Sequence, residues 1–131
     1  MIPSASNHRV HVIAEAGVNH NGRRDLAFAL VEAAASAGAD SVKFQTFDAG
    51  KLAAKSAPKA AYQKHTTDAG ESQLAMLRKL ELPLEWHAEL KGHARACGIQ
   101  FLSTAFDFDS LAFLEGLGMP MFKIPSGEVT N

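Results

Sequence analysis

The feature that most constrains this chain is a unit that recurs along it. A short apolar strand leads through a polar turn into an amphipathic helix, and a glycine closes the helix two or three residues before the next strand. Residues 10–16 read as the first strand, and Asn21-Gly22 is the turn ahead of a helix over 23–37. Leu26, Leu30, Val31 and Ala34 share one face of that helix, and Gly38 caps it. Residues 41–47 form a second strand. A helix beginning at Pro83 presents Trp86, Leu90, Ala94 and Cys97 as its stripe, ends at Gly98 and enters a third strand at 99–104. Asp107 is the N-cap of a further helix carrying Leu111, Leu114 and Leu117, which Gly118 closes ahead of a fourth strand at 121–125. The polar stretch 48–70 has room for local helix at 60–64, and a shorter helix at 71–80 follows, so the second crossover is elaborated. Segments of that length are functional or disordered.

Strands that alternate with helices build a parallel sheet, either a doubly wound open sheet or part of a (β/α) barrel. The parity of the strands separates the two. Val12 and Ala14 alternate with Ile13 and Glu15, Val42 and Phe44 with Lys43 and Gln45, and Phe122 and Ile124 with Lys123. Central strands of an open sheet are covered on both faces and are apolar on both. Here one face is polar, as in a barrel whose interior and C-terminal mouth carry the chemistry. A complete barrel takes ~250 residues. The expected fold is therefore α/β, the N-terminal half of a (β/α)8 TIM barrel with about four parallel strands and crossover helices, and residues 1–131 are expected to form a single incomplete domain.

Composition removes other classes. With 47% apolar residues and a formal net charge of -1, the chain is of ordinary globular type and lacks the basic excess of a general nucleic-acid binder. No apolar run approaches the ~20 residues of a membrane span, and residues 1–9 lack the apolar stretch of a signal peptide, so a cytoplasmic location without membrane contact is expected. The lone Cys97 has no internal disulfide partner and reads as a small core residue.

The strand ends carry the candidate chemistry: Glu15 to His20, Lys43-Phe44-Gln45, Ser103-Thr104, and Lys123 to Glu128. Lysines and a glutamate on an enclosed surface lose hydration, and persist there when paired with each other or with a charged ligand. An internal Glu15–Lys43 pair accounts for two of these residues and leaves Gln45, Thr104, Lys123 and Glu128 unexplained. Two lysines with hydroxyls and a Ser-Gly turn suit an anion bearing phosphate and carboxylate, and Glu15 and Glu128 are available for proton transfer.

These residues also fall into longer runs. Ile13-Ala14-Glu15-Ala16-Gly17-Val18-Asn19-His20-Asn21-Gly22, Lys43-Phe44-Gln45, Tyr62-Gln63-Lys64 with Glu71-Ser72-Gln73, Phe101-Leu102-Ser103-Thr104, and Lys123-Ile124-Pro125-Ser126-Gly127-Glu128 occur in that order. As a set they resemble the bacterial N-acetylneuraminate (sialic acid) synthase family, over nearly the whole chain from Val12. One departure is Ala105, where the family usually has proline.

The resemblance implies a TIM barrel followed by an antifreeze-like domain, and the condensation of phosphoenolpyruvate with N-acetylmannosamine to give N-acetylneuraminate and phosphate. Lys43, Thr104, Lys123 and Ser126 would surround phosphoenolpyruvate. Glu15 and Gln45 would face the sugar, with Asn19 and His20 beside them, and Glu128 would handle the water that adds to C2. Glu15, Lys123 and Glu128 are thus the implied catalytic residues. A divalent cation, Mn2+ or Mg2+, would polarise the sugar aldehyde from ligands on the later part of the barrel, since His8, His11, His65, His87 and His93 do not match them. The family also implies a homodimer for the full-length enzyme. The Tyr62 and Glu71 segments resemble the neuraminate and legionaminate branch. Alternatives are legionaminate synthesis from a diacetamido sugar, a Schiff-base aldolase using Lys43 or Lys123, and a non-catalytic half-barrel. With the second barrel half and the C-terminal domain absent, the chain alone is expected to self-associate, to hold metal poorly and to lack turnover.

Overall fold

A computed structural model describes residues 9–55 and 73–131. Three strands, β1 (Ile13–Gly17), β2 (Ser41–Thr46) and β3 (Gln100–Ala105), form one parallel sheet in the order β1-β2-β3. Helix α1 (Arg24–Ser36) connects β1 to β2. Helices α2 (Ala49–Lys55), α3 (Gln73–Leu80) and α4 (Leu84–Ala96) lie between β2 and β3, and α5 (Phe108–Gly116) follows β3. A 3-10 turn, Ser126–Glu128, comes near the end. The local helix expected at 60–64 lies outside the described residues, as do Tyr62, Gln63, Lys64, Glu71 and Ser72. Among the described residues no helix is long and apolar enough to cross a membrane.

The repeated unit closes as its sequence pattern demands. Gly38, Gly98 and Gly118 all hold positive φ at the ends of α1, α4 and α5. The Asp107 carboxylate accepts the Ser110 N–H at 2.8 Å and so caps α5. Gly22, at φ 71°, has no substitute: a Cβ there would lie 2.6 Å from the Lys79 carbonyl oxygen of α3, so the β1–α1 turn packs backbone to backbone against that helix.

The core lies between the sheet and α1 and α4. Phe44 and Phe101 stack at 5.6 Å between ring centres, beneath Ala27, Val31, Leu90 and Ala94, all of them buried. Each large side chain of this kind contributes about 1.5–3 kcal/mol when fully removed from water. The buried stripe of α1 is Ala27, Val31 and Ala34, with Leu26 and Leu30 only half-buried, so the helix sits turned by one residue from the expected face. The small alanines let α1 lie close to α4, where Glu32 takes His93 Nε2 at 3.0 Å and Arg24 pairs with Glu89.

Two strand expectations are corrected. The first strand begins at Ile13 rather than residue 10, because its ladder partner starts at Ser41. Val10 and Val12 remain exposed, and the Val12 carbonyl takes the N–H groups of Asp40 and Ser41 at the lower edge. The fourth strand does not form a ladder. Residues 121–125 are assigned no strand, and Phe122, Lys123 and Ile124 are all exposed. Pro125, the last residue of this segment, has no N–H donor, and Pro120 just before it has none either, which limits the ladder available to the open edge of β3. Three strands, not four, are thus paired among the described residues.

Candidate active site

Register decides which side chains meet, because partners in a parallel ladder share a face. Glu15 pairs with Lys43 and Lys43 with Leu102, while Gln45 pairs with Thr104 one layer nearer the C-terminal edge. Glu15, Lys43, Gln45 and Thr104 therefore stand on the face away from the helices, as the alternation requires. Lys43 is 6% exposed, and its Nζ lies 2.7 Å from Glu15 Oε2 and 3.1 Å from Thr104 Oγ1. Among the described residues its third N–H has no acceptor. Glu15 keeps about half its side chain in water, at 52%. The ion pair is thus one-sided, a desolvated ammonium against a carboxylate that solvent still reaches.

Gly17 makes the convergence possible. The ladder slips between Glu15 and Gly17, and Gly17 sits at φ 54°. A Cβ there would lie 3.2 Å from Glu15 Oε1 and 3.8 Å from Gln45 Nε2, so the missing side chain leaves the space those two polar ends occupy. Among the described residues the arrangement offers a buried cation with a free donor, a hydroxyl, an amide and a carboxylate at one strand edge. Such a set can hold an anion and orient a polar neighbour.

The other expected residues stand apart from this cluster. Lys123 and Glu128 line a separate cleft of about 820 Å³ together with Lys51, Asp107, Phe108 and Ile124, and neither Lys43 nor Thr104 borders it. Ser126 is exposed on the 3-10 turn. The inward parity read for Lys123 does not hold, because without a ladder nothing turns alternate side chains to opposite faces. Asn19 is exposed in the turn after β1, its N–H given to the Ala16 carbonyl at 3.0 Å. His20, expected beside the sugar, is fully buried against the Phe44 ring at 6.4 Å, on the helix-covered side. Its Nδ1 accepts the Gly22 N–H at 3.0 Å, and its Nε2 has no partner among the described residues. Burial pushes this imidazole below its ordinary pKa.

The loops beyond β2 and β3 are tied together by groups the sequence reading used only as a cap. Asp107 accepts the Asp48 N–H at 3.0 Å, and Lys51 pairs with Asp107 and Asp109. Burial raises the Asp107 carboxyl. The Ser110 backbone and hydroxyl, the Asp48 N–H and the Lys51 ammonium more than offset this and hold it below its ordinary value. Thr46, Ser103 and His87 were also overlooked as a group. Their signal was polar residues at apolar positions of the pattern, with His87 three residues before Leu90 and seven before Ala94 on the buried face of α4.

Among the described residues no group of three or more His, Cys, Asp or Glu side chains could hold a metal ion. These residues do not build a site for the divalent cation the resemblance implies.

Comparison with known proteins places this geometry. The NeuB family model matches residues 30–131. The N,N'-diacetyllegionaminic acid synthase of Campylobacter jejuni is 57% identical over 92% of this chain, and that of Legionella pneumophila is 50% identical over 98%. Each match covers 36% of the relative, so the chain spans about a third of the length of the curated relatives it matches. Among solved structures, the N-acetylneuraminic acid (sialic acid) synthetase of Leptospira borgpetersenii, crystallised with citrate, superposes with a TM-score of 0.71 at 29% identity, over 90% of this chain and 36% of that one. The parallel sheet and its crossover helices correspond to the N-terminal part of that barrel.

Proposed function

The chain belongs to the NeuB family, and from that premise we propose that it supplies the phosphoenolpyruvate-binding part of a nonulosonic acid synthase. The observation that carries this reading is Lys43, a buried ammonium held at the strand edge by Glu15 and Thr104, with a donor to spare among the described residues. Phosphoenolpyruvate brings a carboxylate and a phosphate, and a desolvated ammonium beside a hydroxyl is the kind of site that favours such a dianion. In this reading Lys43 and Thr104 hold the anion, and Lys123 and Ser126, which stand apart from this cluster, are given no part in it. Glu15 and Gln45 face the amino sugar across the space Gly17 leaves. Carbon 3 of phosphoenolpyruvate forms a bond to the aldehyde carbon of the open-chain sugar, and the aldehyde oxygen gains a proton. Water adds to the electron-poor C2 and loses a proton, its oxygen becomes the C2 carbonyl with loss of the second proton, and phosphate departs with the bridging oxygen by C–O cleavage.

For the acceptor we favour a diacetamido sugar over N-acetylmannosamine. The two relatives at 57% and 50% identity are named for N,N'-diacetyllegionaminic acid, whereas the synthetase named for sialic acid is 29% identical. The test joins this chain to the remaining two thirds of the Campylobacter jejuni relative. The hybrid is supplied with phosphoenolpyruvate labelled with 18O at the bridging position. The expected result is turnover with the diacetamido sugar and label in the released phosphate. Label retained in the sugar acid refutes the bond cleavage, and turnover with N-acetylmannosamine alone refutes the acceptor.

A further inference from the structure

The polar residues that this chemistry leaves unused lie one position over from those it uses. Thr46 follows Gln45 and Ser103 precedes Thr104, and alternation turns both toward the helices, where each is 1% exposed. Thr46 Oγ1 lies 2.8 Å from His87 Nε2 and 2.7 Å from Ser103 Oγ. His87 Nδ1 lies 3.0 Å from the Pro83 carbonyl oxygen. A carbonyl only accepts, so Nδ1 carries the imidazole proton, Nε2 accepts from the Thr46 hydroxyl, and Thr46 in turn accepts from Ser103. Burial depresses the His87 pKa, which keeps the ring in the neutral form this direction of bonds requires.

Hydrocarbon side chains could fill this layer between Phe101, Phe113 and α4 without removing three polar groups from water. A fully satisfied directional chain adds a fixed relative placement of the segments it joins. Those segments are the C-terminal ends of β2 and β3 and the first turn of α4. The Lys43–Thr104 contact spans the same two strands on the opposite face, at 3.1 Å. A slide or twist of one strand end against the other would open it.

We infer that Thr46, Ser103 and His87 are positioning residues, whose hydrogen-bonded chain holds the ends of β2 and β3 so that Lys43 and Thr104 converge on the anion while Gln45, beside them, stays turned to the sugar. The identity of that anion as phosphoenolpyruvate rests on the proposed function; the placement of the side chains does not.

The test compares Thr46→Val with Thr46→Ser in the 131-residue chain. NMR follows the Thr104 methyl and Lys43 Cε signals, with the Val31 methyls of α1 as reference, and phosphoenolpyruvate is then titrated while urea unfolding reports stability. Thr46→Val is expected to shift the Thr104 and Lys43 signals and leave Val31 in place. It should weaken phosphoenolpyruvate binding about tenfold, the change that ~1.4 kcal/mol produces. Thr46→Ser restores both. If Thr46→Val loses stability while the site signals and affinity stay as in the parent, the network only satisfies the core and the inference is overturned. If the signals shift and are restored but the parent chain binds no phosphoenolpyruvate, the positioning stands and the ligand assignment falls. Should Thr46→Val fail to fold, Ser103→Ala removes only the terminal donor and is read against the same two outcomes.

Discussion

Replacing Lys43 by Met separates a ligand-binding lysine from a structural one, and the structure sets the expected sizes. The Lys43 side chain is buried, but its carboxylate partner is not: Glu15 is 52% exposed and regains water when the ammonium is removed. What remains buried without its partner is the Thr104 hydroxyl, a loss of about 1–3 kcal/mol. Against that loss, Met keeps most of the buried stem and removes the desolvation of an ammonium, which costs several kcal/mol in itself. The two effects nearly cancel, leaving a net stability change within about 1 kcal/mol, or a melting shift of about 3–5 °C for a domain of this size. Binding has no such compensation. Losing a charge-assisted hydrogen bond to the anion is worth about 1.5–3 kcal/mol, a weakening of about 10- to 150-fold. Calorimetric titration with phosphoenolpyruvate and a urea unfolding curve on the same sample measure both. An affinity within about twofold of the parent, together with a stability loss above about 2 kcal/mol, would make Lys43 a structural cation and overturn the argument.

Three further outcomes are expected. Burial holds the His87 and His20 imidazoles below their ordinary value of 6.5, so the unfolded chain binds more protons than the folded one as pH falls. Stability from this source is complete above about pH 6.5 and declines below it, and urea midpoints that do not fall between pH 7.5 and 5.5 contradict the reading. Gly22→Ala combines positive φ with a Cβ 2.6 Å from the Lys79 carbonyl oxygen, so a loss of more than about 2 kcal/mol is expected by thermal unfolding, against roughly 0.5 kcal/mol for an unremarkable surface change. Among the described residues β1 and β3 each pair along one edge, and Phe108, Met121, Phe122 and Ile124 lie exposed; light scattering during size exclusion should therefore find the isolated chain associating with itself rather than running as a monomer.

Sequence alone determined the elements whose causes are local. Alternation in Val42-Lys43-Phe44-Gln45 sorts the strand into a packed and a polar face, Asp107 caps α5, and Gly38, Gly98 and Gly118 end helices by a backbone preference each residue carries with it. That parity made a shared polar face of Glu15, Lys43 and Gln45 legible, while the register that sets Glu15 opposite Lys43 and Gln45 opposite Thr104 came only with the paired strands. Tertiary structure decided whatever depends on a partner distant in sequence. Residues 121–125 have a strand pattern but no ladder, because pairing takes a second chain segment and Pro125 removes one of the donors this one has to offer. Glu15, Asn19 and His20 belong to one motif in the sequence, yet the bulge after Glu15 and the turn at Gly22 send the imidazole under the helices while Glu15 stays at the strand edge. Thr46, Ser103 and His87 lie far apart in sequence; they become one hydrogen-bonded unit only when α4 packs across the ends of β2 and β3, because a hydrogen bond needs its two atoms within about 3 Å and only packing brings them there.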